Sequence, residues 1–285
     1  MKKLLTLWAV LLATVSLATA QSPASCCAKP EKATEVFAML GANEEFVRGH
    51  EDPMPYQYEG PGEMIEFSTA DGKPARGFEI KSNVRSDKYV FVIHEWWGLN
   101  DYIKKESFRY ANELKGVNVI ALDLYDGQVA TTAEEAARLM QGVTTERAEA
   151  IIKGALLHVG NNAQIATLGW CFGGSWSLQT ALLAGPKAVG CIMYYGMPEK
   201  DPARLKTLNT DVLGIFAQQD RSITPAVVAQ FTKDMAAAKK KLTVKFYDAD
   251  HAFANPSNPR YNRQFAEDAH ALSLAYLRKA LKLKG

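Results

Sequence analysis

Short runs of β-branched and aromatic residues alternate along this chain with longer amphipathic runs, and the alternation predicts most of its elements. Residues 63–69 and 75–81 read as two strands. Ala70-Asp71-Gly72-Lys73 joins them, and its Asp-Gly pair favours a hairpin turn. Further strands are expected at 89–93, 117–122, 164–168, 188–194, 212–217 and 242–247. Asn100 or Asp101 caps a helix running to about Leu114. Thr131-Thr132-Ala133-Glu134-Glu135 has capping-box spacing before a second. Residues 145–157, 175–183 and 225–239 supply three more, and a long helix with a basic end lies within 261–283. Apolar strands separated by helices predict an α/β fold, with a mainly parallel central sheet, helices on both faces and an antiparallel N-terminal hairpin.

The N-terminus follows a different pattern. Lys2 and Lys3 precede an apolar run over 4–18, and Ala18-Thr19-Ala20 supplies small residues before Gln21. This reads as a secretory signal peptide cleaved after Ala20, which implies an exported protein, periplasmic or secreted. A retained anchor is the alternative, although the run is short for a membrane span. Residues 21–62 read as an N-terminal extension, helical near 31–40, with His50-Glu51-Asp52-Pro53-Met54-Pro55 and Gly60-Pro61-Gly62 as loop punctuation. The catalytic domain then occupies 63–285. The adjacent Cys26 and Cys27 leave several readings open: a surface pair, a metal ligand, a strained pair or a bridge to another chain. Lipidation fits poorly, because Pro23-Ala24-Ser25 lacks the expected Leu and sits beyond the apolar run.

Removing 20 of 285 residues leaves 265, enough for one large α/β domain. It also removes two lysines, so the formal charge falls from +2 to 0. A neutral chain gives no reason to expect nucleic acid or an anionic membrane as partner, and a monomer acting on a small molecule is expected.

The chemistry concentrates at Gly169-Trp170-Cys171-Phe172-Gly173-Gly174, between a predicted strand and a predicted helix. Strand, Gly-x-nucleophile-x-Gly and helix is the layout of a nucleophile elbow, here with Cys at its centre. Parallel sheets put functional loops at the carboxyl ends of their strands. In the order nucleophile, acid, base, only His251 and His270 follow Cys171. His270 falls inside the last helix, whereas His251 follows the last strand and is the expected base. Asp220 follows the 212–217 strand and is the expected acid; Asp211 lies at the wrong end, and Asp248 and Asp250 read as turn formers. His94-Glu95-Trp96-Trp97-Gly98 follows the 89–93 strand, so the Trp96 and Phe172 N–H groups are the expected oxyanion hole. Trp96 and Trp97 read equally as pocket wall or core. Glu95 either faces solvent or contacts the thiol before substrate arrives.

Together, His94-Glu95-Trp96-Trp97-Gly98, Asp123-Leu124-Tyr125, the Cys171 elbow, Asp220 and His251-Ala252-Phe253 resemble the dienelactone hydrolase family over roughly residues 63–284. That resemblance implies an α/β-hydrolase fold with a Cys-His-Asp triad that cleaves a carboxylic ester or lactone through an acyl-enzyme. It also implies that Glu95 holds the resting thiol and swings away on substrate binding, beside a pocket that includes Trp97 and Tyr125. The family's dienelactone-cleaving enzymes hold a substrate carboxylate with two arginines. Here those positions fall in Asp126-Gly127 and at Asn255, and Arg221 and Arg260 are the nearby candidates to replace them. The other function class the residues allow is an exported ligand-binding or thiol-redox protein on the same scaffold. No metal-ligand spacing, phosphate loop or dinucleotide fingerprint is present, so neither metal nor cofactor is implied. The leader reading predicts that the exported protein begins at Gln21; N-terminal sequencing checks it, and a chain still starting at Met1 contradicts it.

Overall fold

A computed structural model describes residues 32–283. The leader, residues 21–31 of the extension and Cys26-Cys27 lie outside the described residues. The extension supplies two short helices, α1 (Ala33–Ala38) and α2 (Glu44–Arg48), linked by a 3-10 turn, and the Asn43 side chain caps the second. The hairpin follows as β1 (Glu63–Phe67) and β2 (Ala75–Ile80). Next come β3 (Lys88–Ile93), α3 (Asp101–Leu114), β4 (Asn118–Leu122), α4 (Ala133–Gly142) and α5 (Thr145–His158). The elbow joins β5 (Gln164–Trp170) to α6 (Phe172–Ala184). The chain closes with β6 (Ala188–Tyr194), α7 (Pro202–Lys206), β7 (Val212–Ala217), α8 (Pro225–Ala237), β8 (Leu242–Tyr247) and α9 (Arg263–Ala280).

The eight strands form one sheet in the order β1-β2-β4-β3-β5-β6-β7-β8. β1 with β2 and β2 with β4 are antiparallel; every later pair is parallel. Ile93 stands in register with Gly169, Trp170 with Tyr194, and Ala217 with Tyr247. The loops carrying Glu95, Cys171, Asp220 and His251 therefore leave the same edge of the sheet. The expected α/β-hydrolase fold is what the chain adopts. No helix among the described residues is long and apolar enough to cross a membrane.

The helix after Cys171 starts three residues earlier than its apolar pattern suggested, at Phe172. Gly173 and Gly174 read as turn residues in sequence, yet they form its first turn because nothing larger fits there. A Cβ on Gly173 would stand 2.2 Å from the Ile93 carbonyl oxygen, and one on Gly174 would stand 2.4 Å from that of Tyr194. The capping box before α4 also differs slightly. Thr132 accepts from the Glu135 N–H as expected, but the Glu135 carboxylate takes the N–H of Thr131.

Helix α6 is buried nearly all round, and the extension helps to cover it. α1 packs on α6, burying Ala33 and Phe37. Phe37 then stacks edge-on against Phe46, with ring centroids 6.0 Å apart. Beyond α2, Asp52 accepts from the Ala133 N–H at the start of α4, and Asp101 at the start of α3 accepts from the Tyr58 N–H. Gly173→Ala is expected to destabilise the protein by ~2 kcal/mol or more, because the clash is with the backbone of Ile93 and His94 rather than with a movable side chain. Gly142→Ala, where a Cβ meets nothing within 4 Å, is the control and should be neutral or slightly stabilising. Urea unfolding separates them; equal midpoints would contradict the packing described.

Candidate active site

Cys171 sits between β5 and α6 at φ 56° and ψ −120°, a conformation that side-chain-bearing residues avoid. Its N–H donates to the Tyr194 carbonyl, and its own carbonyl accepts from Gly174 and Ser175. The turn is thus locked on both sides and the thiol is fully buried. At the end of β7, Asp220 turns its Oδ1 onto the N–H groups of Ser222 and Ile223, both at 2.8 Å. Its Oδ2 accepts from His251 Nδ1 at 2.6 Å. Burial disfavours the Asp220 carboxylate, but His251 and the two N–H donors more than offset this and hold its pKa below the usual value.

Fixing Nδ1 on Asp220 leaves His251 Nε2 buried and without a partner. Burial opposes the imidazolium, whereas Asp220 and the Cys171 sulfur favour it and shift His251 above its usual value. The Cys171 thiol is pushed up by burial, against the pull of His251. Nearby, Nδ1 of the fully buried His94 bonds the Glu95 carbonyl and its Nε2 accepts from the Leu124 N–H. This tautomer ties the loop after β3 to the loop after β4. Tyr125 reinforces the tie by donating its hydroxyl to the Trp96 carbonyl. Tyr125 also packs on Phe172, with centroids 5.5 Å apart, and Trp97 is buried against Trp96 at 4.9 Å.

Glu95 is buried, and burial raises its pKa to about 8. Its Oε2 accepts from Asn255 Nδ2 at 2.7 Å, and no hydrogen bond joins it to Cys171 among the described residues. Asn255 is itself held through Ser257, whose N–H and hydroxyl both donate to its Oδ1. A position expected to lack a substrate-binding arginine thus anchors the acid of the resting site. Asp126, at the other such position, pairs with Arg147. Arg221 is largely exposed and pairs with Glu45 of α2. Arg260 lines a cavity of about 310 Å³ together with Arg221, His50 and His251. His270 is engaged elsewhere, with Glu113 of α3.

Two residues at this site were not foreseen. Tyr195, just past β6, is buried with its hydroxyl unpartnered and its ring 4.9 Å from that of His251. Its place at a strand's carboxyl end was a usable signal. His50, read as loop punctuation, comes from the end of α2 and is buried at the site. Its ring lies 5.5 Å from that of His251 and 4.3 Å from Trp96. Burial and the neighbouring His251 lower its pKa to about 3, so it stays neutral. Buried side-chain polar atoms without partners occur on only five described residues, and four of them, His50, Trp96, Tyr195 and His251, gather here. Such groups cost free energy unless a ligand completes them, so their convergence marks a binding site.

The sequence model of the dienelactone hydrolase family matches residues 77–281. The chain belongs to the dienelactone hydrolase family. Protein usf of Aquifex pyrophilus is 26% identical over 237 residues, covering 77% of this chain and 99% of that protein. Among solved structures, a dienelactone hydrolase-like promiscuous phosphotriesterase from metagenomic libraries superposes with a TM-score of 0.65 at 20% identity. The match covers 78% of this chain and 99% of that one. A cold-adapted esterase from an Arctic intertidal metagenomic library gives 0.59 at 14%, covering 79% and 99%. At these identities the structural likeness shows the fold.

The raised pKa of Glu95 has a consequence for stability. In the unfolded chain this carboxyl ionises near pH 4.5, but in the folded protein only near pH 8. Between those values the native state holds the extra proton, so stability falls as pH rises, by up to ~1.4 kcal/mol per pH unit. Glu95→Gln removes that slope and should be the more stable protein at pH 8. Urea unfolding at pH 5 and pH 8 checks this; identical pH dependence in the two proteins would mean that native Glu95 is ionised.

Proposed function

We propose that this chain is an exported hydrolase that cleaves a carboxylic ester or lactone through an acyl-enzyme on Cys171. The observation that carries the reading is the 2.6 Å Asp220–His251 hydrogen bond, which leaves an unpartnered Nε2 within reach of the elbow cysteine. A His251 nitrogen and Cys171 Sγ belong to one cluster whose ligand atoms all lie within 4.8 Å of one another. The neutral form of His251 takes the thiol proton as the sulfur attacks the carbonyl carbon. Asp220 fixes the imidazole tautomer and stabilises the imidazolium. The Phe172 and Trp96 N–H groups receive the developing oxyanion, each such donor contributing ~10²–10³ in rate. His251 then protonates the leaving alkoxide, and a water activated by the same imidazole releases the acid and restores the thiol.

The protonated thiol of the resting site suits this scheme, since the nucleophile is made only when a proton acceptor and an electrophile are both in place. Family membership supports hydrolase chemistry, and the two departures from the family's arginine pattern argue against the same carboxylate-bearing substrate. A thiol-redox role finds less support. Cys171 is buried, and the other described cysteine, Cys191, lies in β6 beside Ser177.

Cys171→Ala is expected to abolish turnover of an activated aryl ester while leaving the far-ultraviolet circular dichroism unchanged. Asp220→Asn should lower kcat by ~10⁴ through loss of the correct tautomer. Steady-state kinetics on the purified protein tests both, and full activity in Cys171→Ala would refute the mechanism.

A further inference from the structure

The sequence offered no metal-ligand spacing, but the fold brings three donors together from positions 50, 171 and 251. A nitrogen of His50, a nitrogen of His251 and the Cys171 sulfur all lie within 4.8 Å of one another. We propose that His50, Cys171 and His251 form a binding site for Zn²⁺ or a chemically similar divalent transition metal. This goes beyond hydrolysis and holds whether or not the protein turns over esters.

The arrangement around the donors supports it. Metal-bound histidines commonly donate their second ring N–H to a carboxylate or a backbone carbonyl, which fixes the tautomer and aims the free nitrogen. Both histidines here are held that way. His251 Nδ1 donates to the Asp220 carboxylate at 2.6 Å, and His50 Nδ1 donates to the Phe46 carbonyl at 2.7 Å. In each ring Nε2 is the remaining nitrogen, and in each it is buried without a hydrogen-bond partner. Two orphaned imidazole nitrogens beside one thiol form an N₂S donor set, which suits zinc and its soft neighbours rather than magnesium or calcium. A fourth position remains for water. Both histidines line the 310 Å³ cavity.

Binding replaces the Cys171 S–H bond by a sulfur–metal bond and releases the thiol proton to solvent, together with the Nε2 proton of any His251 that is in the imidazolium form. It also occupies the proposed nucleophile, so the loaded form is blocked for acyl transfer. His50 lies before residue 77, where the family match begins. The site is therefore assembled from the common fold and this chain's extension, and a bound ion would clamp the two together.

The test uses the full purified chain, reduced and freed of metal, with Co²⁺ as the optical probe and Zn²⁺ as competitor. One equivalent of Co²⁺ should give a thiolate-to-metal charge-transfer band in the near ultraviolet and intense four-coordinate d–d bands, both erased by Zn²⁺. Cys171→Ser should lose the charge-transfer band. His50→Phe, which keeps an aromatic ring against Phe46 and Trp96, should weaken Zn²⁺ binding by at least roughly tenfold. Circular dichroism verifies that both variants fold. A Co²⁺ spectrum without the thiolate band, or Zn²⁺ affinity unchanged in His50→Phe, overturns the proposal. Because binding is read without substrate, it fails or succeeds separately from the hydrolase mechanism.

Discussion

The backbone conformation of Cys171 is the constraint on which the rest of the structure depends. A side-chain-bearing residue at φ 56° costs ~1–3 kcal/mol, so the surroundings must over-determine it. They do so through contacts that admit no side chain. Gly169 packs where a Cβ would meet the Gly173 carbonyl oxygen at 2.1 Å, and Gly196 where one would meet the Ser175 N–H at 2.3 Å. These approaches seat α6 directly against the ends of β3, β5 and β6. The same seating presents the Phe172 N–H at the first turn of a helix, where no intrahelical acceptor exists for it. Strain, the free Phe172 N–H and the thiol position are thus one feature of the fold.

Around that elbow the site is closed. The extension contributes Phe46 and His50, which pack on Trp96 and on His251, and Cys171 has no exposed surface. Low dielectric keeps the thiol and Glu95 protonated, while the Asp220–His251 pair holds the charge the site does retain. The resting arrangement spends stability on a buried acid and several unpartnered polar atoms. That pattern is expected of a site completed by a ligand rather than by the protein itself.

Much of this was legible in the sequence because its signals are local. Strand periodicity placed β3 through β8 to within a few residues, and the strand-end rule then singled out Cys171, Asp220 and His251 from a short set of candidates. What stayed hidden depends on long-range contact. Asn255 was visible only as a missing arginine; its role as the partner of Glu95 arises across 160 residues of chain. His50 lies in a polar, proline-rich stretch with no strand before it, and nothing local distinguishes it from a solvent-facing loop residue. Its burial follows from the aromatic run of Phe37, Phe46 and Trp96, which only the folded chain assembles.

The central claim is that Cys171 carries the acyl group. Mixing the protein with an activated aryl ester, quenching in acid within the first turnovers and mapping peptides by mass spectrometry tests it most directly. The account predicts an acyl adduct on the Cys171 peptide that decays as free acid appears. Turnover with no adduct, or with the adduct on another residue, would contradict it.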